Sequence, residues 1–199
     1  MKSILRKIFS TPKNVVPKQK ITAEQSNVIA LGNDISKKIG KLFGGCLTIR
    51  QVAAGSDNSC EQELVALTNA FYDIERFGIK FVASPRHADV LMVCGPVARN
   101  MKSALIAAYN ATPNPKIVIA LGDGAIDGGI WQGSYATEDG VHNVIPVDYQ
   151  IPGDPPSPTE VLRALLAILK DLEGKTRLEP KPTIGTPKPK LPPNKKGKK

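Results

Sequence analysis

Three short motifs rich in Gly, Asp and Pro contain the residues whose types could make a binding site. They are Gly-Ser-Asp-Asn-Ser-Cys at 55–60, Gly-Asp-Gly-Ala-Ile-Asp-Gly-Gly at 122–129 and Ile-Pro-Gly-Asp-Pro-Pro at 151–156. Thiolates bind soft metals and iron–sulfur clusters, whereas carboxylates suit hard divalent cations. One cysteine and a few aspartates are a poor ligand set for either. The motifs by themselves therefore do not make up a complete metal or cluster site.

The segments between these motifs alternate between strand-like and helix-like patterns. Strands are predicted at 47–53, 79–82, 88–93 and 116–121, with a short fifth at 144–147. Helices are predicted at 61–70, 97–109 and 159–172, the last with Pro158 in its first turn and Ser157 as its cap. This alternation predicts an α/β fold, a flavodoxin-like, doubly wound parallel sheet in a single domain with basic tails. Residues 21–43 are expected to add one or two helices.

Such a sheet groups the motifs, because each follows the carboxyl end of a strand, where ligands bind in open α/β folds. Cys94 ends the third strand and reaches the same edge, although a small buried packing role is the more usual one for it. We therefore expect one mouth formed by Asp57, Cys60, Cys94, Asp123, Gly124, Asp127 and Asp154.

Two further segments extend the pattern: Tyr-Asp-Ile-Glu-Arg-Phe-Gly-Ile-Lys at 72–80 and Ser-Pro-Arg-His-Ala-Asp-Val-Leu at 84–91. Together the five stretches closely resemble the small subunit of energy-converting nickel–iron hydrogenases and respiratory complex I, over roughly residues 44–172. The resemblance implies a single 4Fe–4S cluster held by four cysteines. Matching the motifs places those ligand positions at Asp57, Cys60, Gly124 and Asp154.

Only Cys60 carries a thiol at these positions, so the resemblance implies a site that has lost its cluster and a chain without a cofactor. The spacing from Asp57 to Cys60 follows the hydrogenase-like branch. Three occupants of the vacated mouth stay open: a Lys or Arg of a partner subunit, a hard divalent cation, or solvent around capping aspartates. A phosphate bound at Gly55–Ser59 is disfavoured, because Asp57 would repel it.

The charge distribution separates a domain from two tails. Of the net +9, residues 1–20 contribute +6 and residues 174–199 contribute +8, which leaves −5 on residues 21–173. We predict a basic amphipathic segment at 1–20, the α/β domain at 21–173 and a disordered Pro/Lys-rich tail at 174–199. This acidic middle argues against a nucleic-acid-binding domain. The tails are either solvated or attracted to anionic lipid or an acidic partner.

No catalytic residue or metal site is expected, because His87 and His142 lack zinc-site spacing. By the resemblance, Tyr72, Arg76, Arg86 and His87 are candidate interface residues. The sequence has no apolar run that could cross a membrane. Together with this, the resemblance implies a peripheral protein on the cytoplasmic face of the membrane.

The function expected from the resemblance is a non-catalytic subunit that docks a hydrogenase-like or complex-I-like large subunit onto membrane-arm subunits. Such a subunit belongs to a complex that moves ions but would pass no electrons itself. The alternative is an electron-transfer subunit that holds an atypical iron–sulfur cluster through Cys60 with ligands from a partner chain.

Overall fold

The computed structural model describes residues 23–175 and 181–185. Their centre is a sheet of five parallel strands with the order β2-β1-β3-β4-β5. The strands are β1 (Leu47–Ala53), β2 (Ile79–Phe81), β3 (Val90–Cys94), β4 (Ile117–Leu121) and β5 (Tyr149–Ile151). This is the flavodoxin-like order, which confirms the predicted fold class.

Helices cover both faces of the sheet, and β3 and β4 are therefore buried along their whole length. The helices are α1 (Ala23–Phe43), α2 (Ser59–Ala66), α3 (Lys102–Ala111), α4 (Asp123–Asp127) and α5 (Pro158–Gly174). On β3, Val90, Met92 and Cys94 face the core under α1, α2 and α5, while Leu91 and Val93 face the core under α3 and α4.

One sequence expectation is corrected and two are confirmed. Residues 144–147 do not form the fifth strand; Val144 and Ile145 pack irregularly in the core, Pro146 has no N–H for a ladder, and the strand begins at Tyr149. Residues 23–43 form one long helix, which agrees with the expected one or two helices in this segment. The start of α5 is as expected: Pro158 is its first residue, and Ser157 and Glu160 form a reciprocal capping box.

The basic N-terminal segment 1–20 and most of the tail lie outside the described residues. Residues 181–185 of the tail are described, and the side chains of Asn110 and Asn114 form hydrogen bonds with their backbone. Among residues 23–175, no helix is both long and apolar enough to span a membrane.

The sheet has two edges that matter for function. We call the edge at the carboxyl ends of the strands the C-terminal rim and the opposite edge the N-terminal rim. The loops that follow β1, β4 and β5 carry the three sequence motifs to the C-terminal rim. The loops that precede β2 to β5 lie at the N-terminal rim, where α1 and α5 also end.

Candidate functional site at the C-terminal rim

A small cavity of about 30 Å³, enough for one or two water molecules, lies where the three motifs meet. All four positions matched to cluster ligands line it, although they come from three separate loops. The lining residues are Ser56, Asp57, Ser59, Cys60, Gly95, Pro96, Leu121, Gly124, Gly129, Ile130, Trp131 and Asp154. The structure thus brings Asp57, Cys60, Gly124 and Asp154 to one pocket, which we call the rim pocket.

The first motif is held close to the end of β3 by a glycine. A Cβ added to Gly95, whose φ is +87°, would lie 2.5 Å from the backbone nitrogen of Ser56. Asp57 then folds back on its own turn and accepts hydrogen bonds from the backbone N–H of Ser59 at 3.0 Å and from its hydroxyl at 2.6 Å. These bonds lower the pKa of Asp57, so its carboxylate is ionised and engaged in a local cap.

Backbone hydrogen bonds tie the second motif to the third. Gly122 N–H donates to the carbonyl of Ile151 at 2.8 Å, and Asp123 N–H donates to the carbonyl of Gly153 at 2.9 Å. The Asp123 carboxylate in turn accepts the N–H of Gly153 at 2.8 Å. Asp123 therefore joins two loops and does not line the rim pocket.

Cys60 lies on the first turn of α2, packed against the second motif. A Cβ on Gly122, with φ +87°, would lie 2.5 Å from the Cys60 Sγ, so only glycine allows this approach. Burial, followed by the negative charges of Glu61, Asp57 and Asp154, raises the pKa of Cys60 to about 11. Among the described residues, no lysine, arginine or histidine lines the pocket to offset them. Cys60 is thus a protonated thiol at neutral pH.

Sequence reasoning missed two features of this site. Glu61 is only 8% exposed; its Oε1 accepts the hydroxyl of Ser56, while its Oε2 has no hydrogen-bond partner among the described residues. Its place beside Cys60 was visible in the sequence, but its burial was not. The apolar side chains of Ile130 and Trp131 also border the pocket, 78% and 50% exposed. Trp131 is the single tryptophan of the chain, which was the available signal.

Three predicted rim residues lie elsewhere. Cys94 is fully buried in the core at the end of β3, where burial raises the pKa of its thiol. Asp123 is engaged with Gly153, and Asp127 accepts the N–H of Gly129 at 2.9 Å in the turn that ends α4. All three lie near the C-terminal rim, as predicted, but none of them lines the cavity. The two aspartates accept hydrogen bonds from loop backbone, and the cysteine packs in the core.

The four interface candidates precede β2 and β3 and therefore lie at the N-terminal rim, away from the rim pocket. Tyr72 packs edge-to-face on Phe71 at 4.9 Å. Arg76 lies over the ring of Phe77 at 4.7 Å. Arg86 and His87 are in a short helical turn at 85–87 whose residues are not buried.

The residues of the rim pocket do not fit a 4Fe–4S cluster. Such a cluster needs about four thiolates, whereas this pocket offers Cys60 alone, and its thiol is held protonated by burial and neighbouring carboxylates. Within residues 23–175 and 181–185, no group of three or more His, Cys, Asp or Glu side chains is placed to hold a metal ion.

Comparison with known proteins finds relatives of this chain among subunits of hydrogenases and quinone oxidoreductases. Relatives include a probable membrane-bound hydrogenase subunit of Pyrococcus furiosus, 39% identical over 145 residues that cover 73% of this chain and 87% of the relative. Formate hydrogenlyase subunit 7 of Escherichia coli is 42% identical over 127 residues, 64% of this chain and 50% of its own length. An NADH-quinone oxidoreductase subunit of Desulfovibrio desulfuricans is 44% identical over 99 residues, 50% of this chain and 54% of its own length.

A solved structure is also similar. A chain in the membrane-bound sulfane sulfur reductase, an archaeal respiratory membrane complex, superposes with a TM-score of 0.59 at 29% identity, covering 77% of this chain and 78% of that chain. The model of the family described as NADH ubiquinone oxidoreductase, 20 kDa subunit, matches residues 58–168, which include most of the rim pocket. By this match over more than half of its length, the chain belongs to the 20 kDa subunit family of NADH ubiquinone oxidoreductase.

Proposed function

We propose that this chain is a peripheral subunit of a membrane-bound complex related to energy-converting hydrogenases and complex I. It docks a large subunit onto the membrane arm at the cytoplasmic face and passes no electrons of its own. The observation that carries this proposal is the rim pocket: its four motif positions converge, yet only Cys60 offers a thiol. The names of the relatives, which are subunits of hydrogenase and quinone reductase complexes, support the same assignment.

An exposed apolar patch beside the rim pocket supports the docking role. Ile130, Trp131 and Tyr135 are 78%, 50% and 85% exposed on the loop after α4. Large apolar and aromatic side chains clustered on a surface are typical of protein interfaces, and Trp and Tyr are enriched among the residues that dominate binding energy. We assign this patch to the large subunit and the N-terminal rim, with Tyr72, Arg76, Arg86 and His87, to the membrane arm.

The absence of a cluster is tested on the complex purified anaerobically through this chain. We expect its iron and acid-labile sulfide contents to be the same with wild-type chain and with Cys60→Ala. The paramagnetic resonance spectrum after dithionite reduction should also be unchanged. A loss of about four irons on Cys60→Ala would overturn the proposal and establish a cluster with ligands from a partner.

Docking is tested separately by substitution within the patch. Trp131→Ala and Ile130→Asp should reduce the amount of large subunit that co-purifies with the tagged chain, because they remove apolar contact area. Val65→Asp is the matched control, since Val65 is also apolar and 59% exposed but lies on α2 outside the patch. If the two patch variants recover as much large subunit as the Val65→Asp control does, the patch at Ile130, Trp131 and Tyr135 is not the interface.

A further inference from the structure

Side chains at the N-terminal rim bind a short peptide segment of the same chain, the described tail residues 181–185. Asn110, near the end of α3, accepts the N–H of Ile184 at 2.9 Å and donates its side-chain amide to the carbonyl of Ile184 at 2.7 Å. Asn114 makes the same pair of bonds with Lys181, at 3.2 Å and 3.0 Å. Two asparagines four residues apart thus bind the backbone of two residues that are three apart.

The side chains of the same two tail residues provide further anchors. The Lys181 amine forms an ion pair with the carboxylate of Asp148, which precedes β5 and also accepts the N–H of Val118 at 2.7 Å. Ile184 packs against the core cluster under α3. Between them, Pro182 and Thr183 are exposed. The domain therefore contacts the first and last residues of the segment 181–184 and leaves its two middle residues exposed to solvent.

This chemistry defines a ligand class. An asparagine side chain that bonds both N–H and C=O of one residue imitates a neighbouring strand, and it requires an extended backbone. Proline at the second position suits such a backbone and has no N–H that would be left unpaired. The carboxylate selects a basic side chain at the first position, and the apolar contact selects an aliphatic one at the fourth.

We propose that Asn110, Asn114 and Asp148 form a binding site for an extended peptide of the pattern Lys-Pro-x-Ile/Leu, and that this chain's own tail is its ligand. The pattern occurs at Lys181-Pro-Thr-Ile184 and again at Lys188-Pro-Lys-Leu191. The site is at the opposite edge of the sheet from the rim pocket and does not depend on the function proposed for that pocket. Occupation of this site anchors the start of the basic tail at the N-terminal rim.

Amide hydrogen exchange on the full chain tests the occupied state within a single segment. The N–H groups of Lys181 and Ile184 donate to asparagine oxygens, so their exchange should be slowed by about tenfold or more. The N–H groups of Thr183 and Gly185 have no such acceptor among the described residues and serve as internal controls at the rate of a free peptide. Equal rates at all four amides would overturn the proposal.

Peptide binding then tests the specificity. A fluorescein-labelled peptide of residues 180–186 should bind the full-length variant Lys181→Glu/Ile184→Asp/Leu191→Asp, in which neither tail copy of the pattern is intact. It should bind the wild type at least about tenfold more weakly, because the tethered segment competes at a high effective concentration. A peptide of the same composition in scrambled order is the control.

Substitutions in the protein and substitutions in the peptide test whether the peptide binds at Asn110 and Asn114. Adding Asn110→Ala and Asn114→Ala to that variant should abolish peptide binding, with circular dichroism to check that the domain is folded. Should this variant fail to fold, the peptide itself carries the test, because its Lys→Glu and Ile→Asp forms must each lose affinity. Equal binding of the native, altered and scrambled peptides would contradict the proposed site. So would a failure of the native peptide to bind the Lys181→Glu/Ile184→Asp/Leu191→Asp variant.

Discussion

The two rims of the same sheet differ in how completely their polar groups are partnered. At the N-terminal rim several carboxylates have cations: Asp148 pairs with Lys181, Asp171 with Lys175, and Glu173 with Lys38 and Lys41. At the C-terminal rim the pocket presents Asp57 and Asp154 beside a buried thiol, with no basic side chain among the described residues that line it. The N-terminal rim carboxylates named here are paired within the chain, whereas those that line the rim pocket have no cation beside them among its described lining residues.

This difference shows that the backbone of a site and its chemistry are separable. The loops of the C-terminal rim are held by contacts that involve no cluster: the approach of Gly122 to Cys60, and the bonds between Asp123 and Gly153. Those contacts keep the four ligand positions together although only one of them carries a thiol. The loop arrangement therefore does not need a cluster to hold it, and a shape kept in this way suits the docking role proposed above.

The largest expected effect comes from restoring the missing thiols. The variant Asp57→Cys/Gly124→Cys/Asp154→Cys would again offer four cysteines, and Gly124 has room for a side chain because its nearest neighbours would be 3.7 Å from a Cβ. We expect anaerobic reconstitution with iron and sulfide to give about four irons per chain, against none for wild type. Iron, sulfide and visible absorbance measure the outcome.

The same triple variant combined with Cys60→Ala is the matched control, and it should bind substantially less iron. If the four-cysteine variant takes up no more iron than wild type, the loops have moved from the ligand-holding arrangement. The conclusion that these loops keep the arrangement of a cluster site without its thiols would then be wrong.

The second effect contrasts two glycines of the same motif. Gly122→Ala should lower the free energy of unfolding by about 2–4 kcal/mol, because its backbone conformation is essentially restricted to glycine and the new Cβ would overlap Cys60 Sγ. Gly124→Ala should change it by no more than about 1 kcal/mol, since it lies within α4 and its new Cβ would make only ordinary van der Waals contacts, at 3.7 Å or more. Urea unfolding of both variants measures the contrast, and equal losses would mean that the tight approach at Gly122 is not real.

The third effect concerns the charge of the rim pocket. With the pKa of Cys60 raised from 9.0 to about 11, its thiolate fraction at pH 8 is lower by about 100-fold, partly offset by the greater nucleophilicity of a more basic thiolate. Alkylation of Cys60 by iodoacetamide should therefore be at least about tenfold slower than that of a free cysteine peptide. Mass spectrometry of the Cys60 peptide measures the rate.

Removing the two rim carboxylates sharpens this test. Asp57→Asn/Asp154→Asn should speed the alkylation of Cys60, because both charges contribute to its raised pKa. Asp139→Asn, which removes a carboxylate of the loop after α4 that does not line the pocket, should leave the rate unchanged. An unchanged rate in the double variant would show that burial and the charge of Glu61 set the reactivity without a contribution from these two carboxylates.

Much of the fold followed from sequence patterns that depend on local physics. Apolar runs such as Ile117–Leu121 are typical of strands covered on both faces, and Ser157 with Pro158 marks a helix start by its own chemistry. The fifth strand was misplaced because Val144 and Ile145 are buried without pairing, and burial alone does not distinguish a strand from an irregular core segment.

The site was predicted in part for a similar reason. Topology determines which loops meet at a rim, so the four ligand positions could be grouped from the sequence. Whether a side chain faces the cavity depends on its rotamer and its local hydrogen bonds, and Asp123 and Asp127 turn to backbone amides instead. The tail at 181–185 was unpredictable by composition, because its order comes from Asn110 and Asn114 on a distant element.

The smallest expected effect is at the N-terminal rim and concerns how the stability of the fold decreases at acid pH. Lys38 and Lys41 lower the pKa of Glu173 from 4.5 to about 2, first through their hydrogen bonds and then through their charge. A carboxylate with a depressed folded-state pKa contributes stability that is fully present above pH 4.5 and is lost as the pH falls toward 2. The group is exposed, so screening reduces this contribution to a small one.

We therefore expect Glu173→Gln to flatten the decline in melting temperature between about pH 4.5 and 2 slightly, with the wild-type advantage shrinking as the pH falls. Added salt should shrink it further. Glu63→Gln is the control, since its carboxylate has no ion-pair partner among the described residues. The same slope in wild type and Glu173→Gln would mean that this paired carboxylate contributes nothing to folding, and that the charge pairing of the N-terminal rim is a matter of geometry alone.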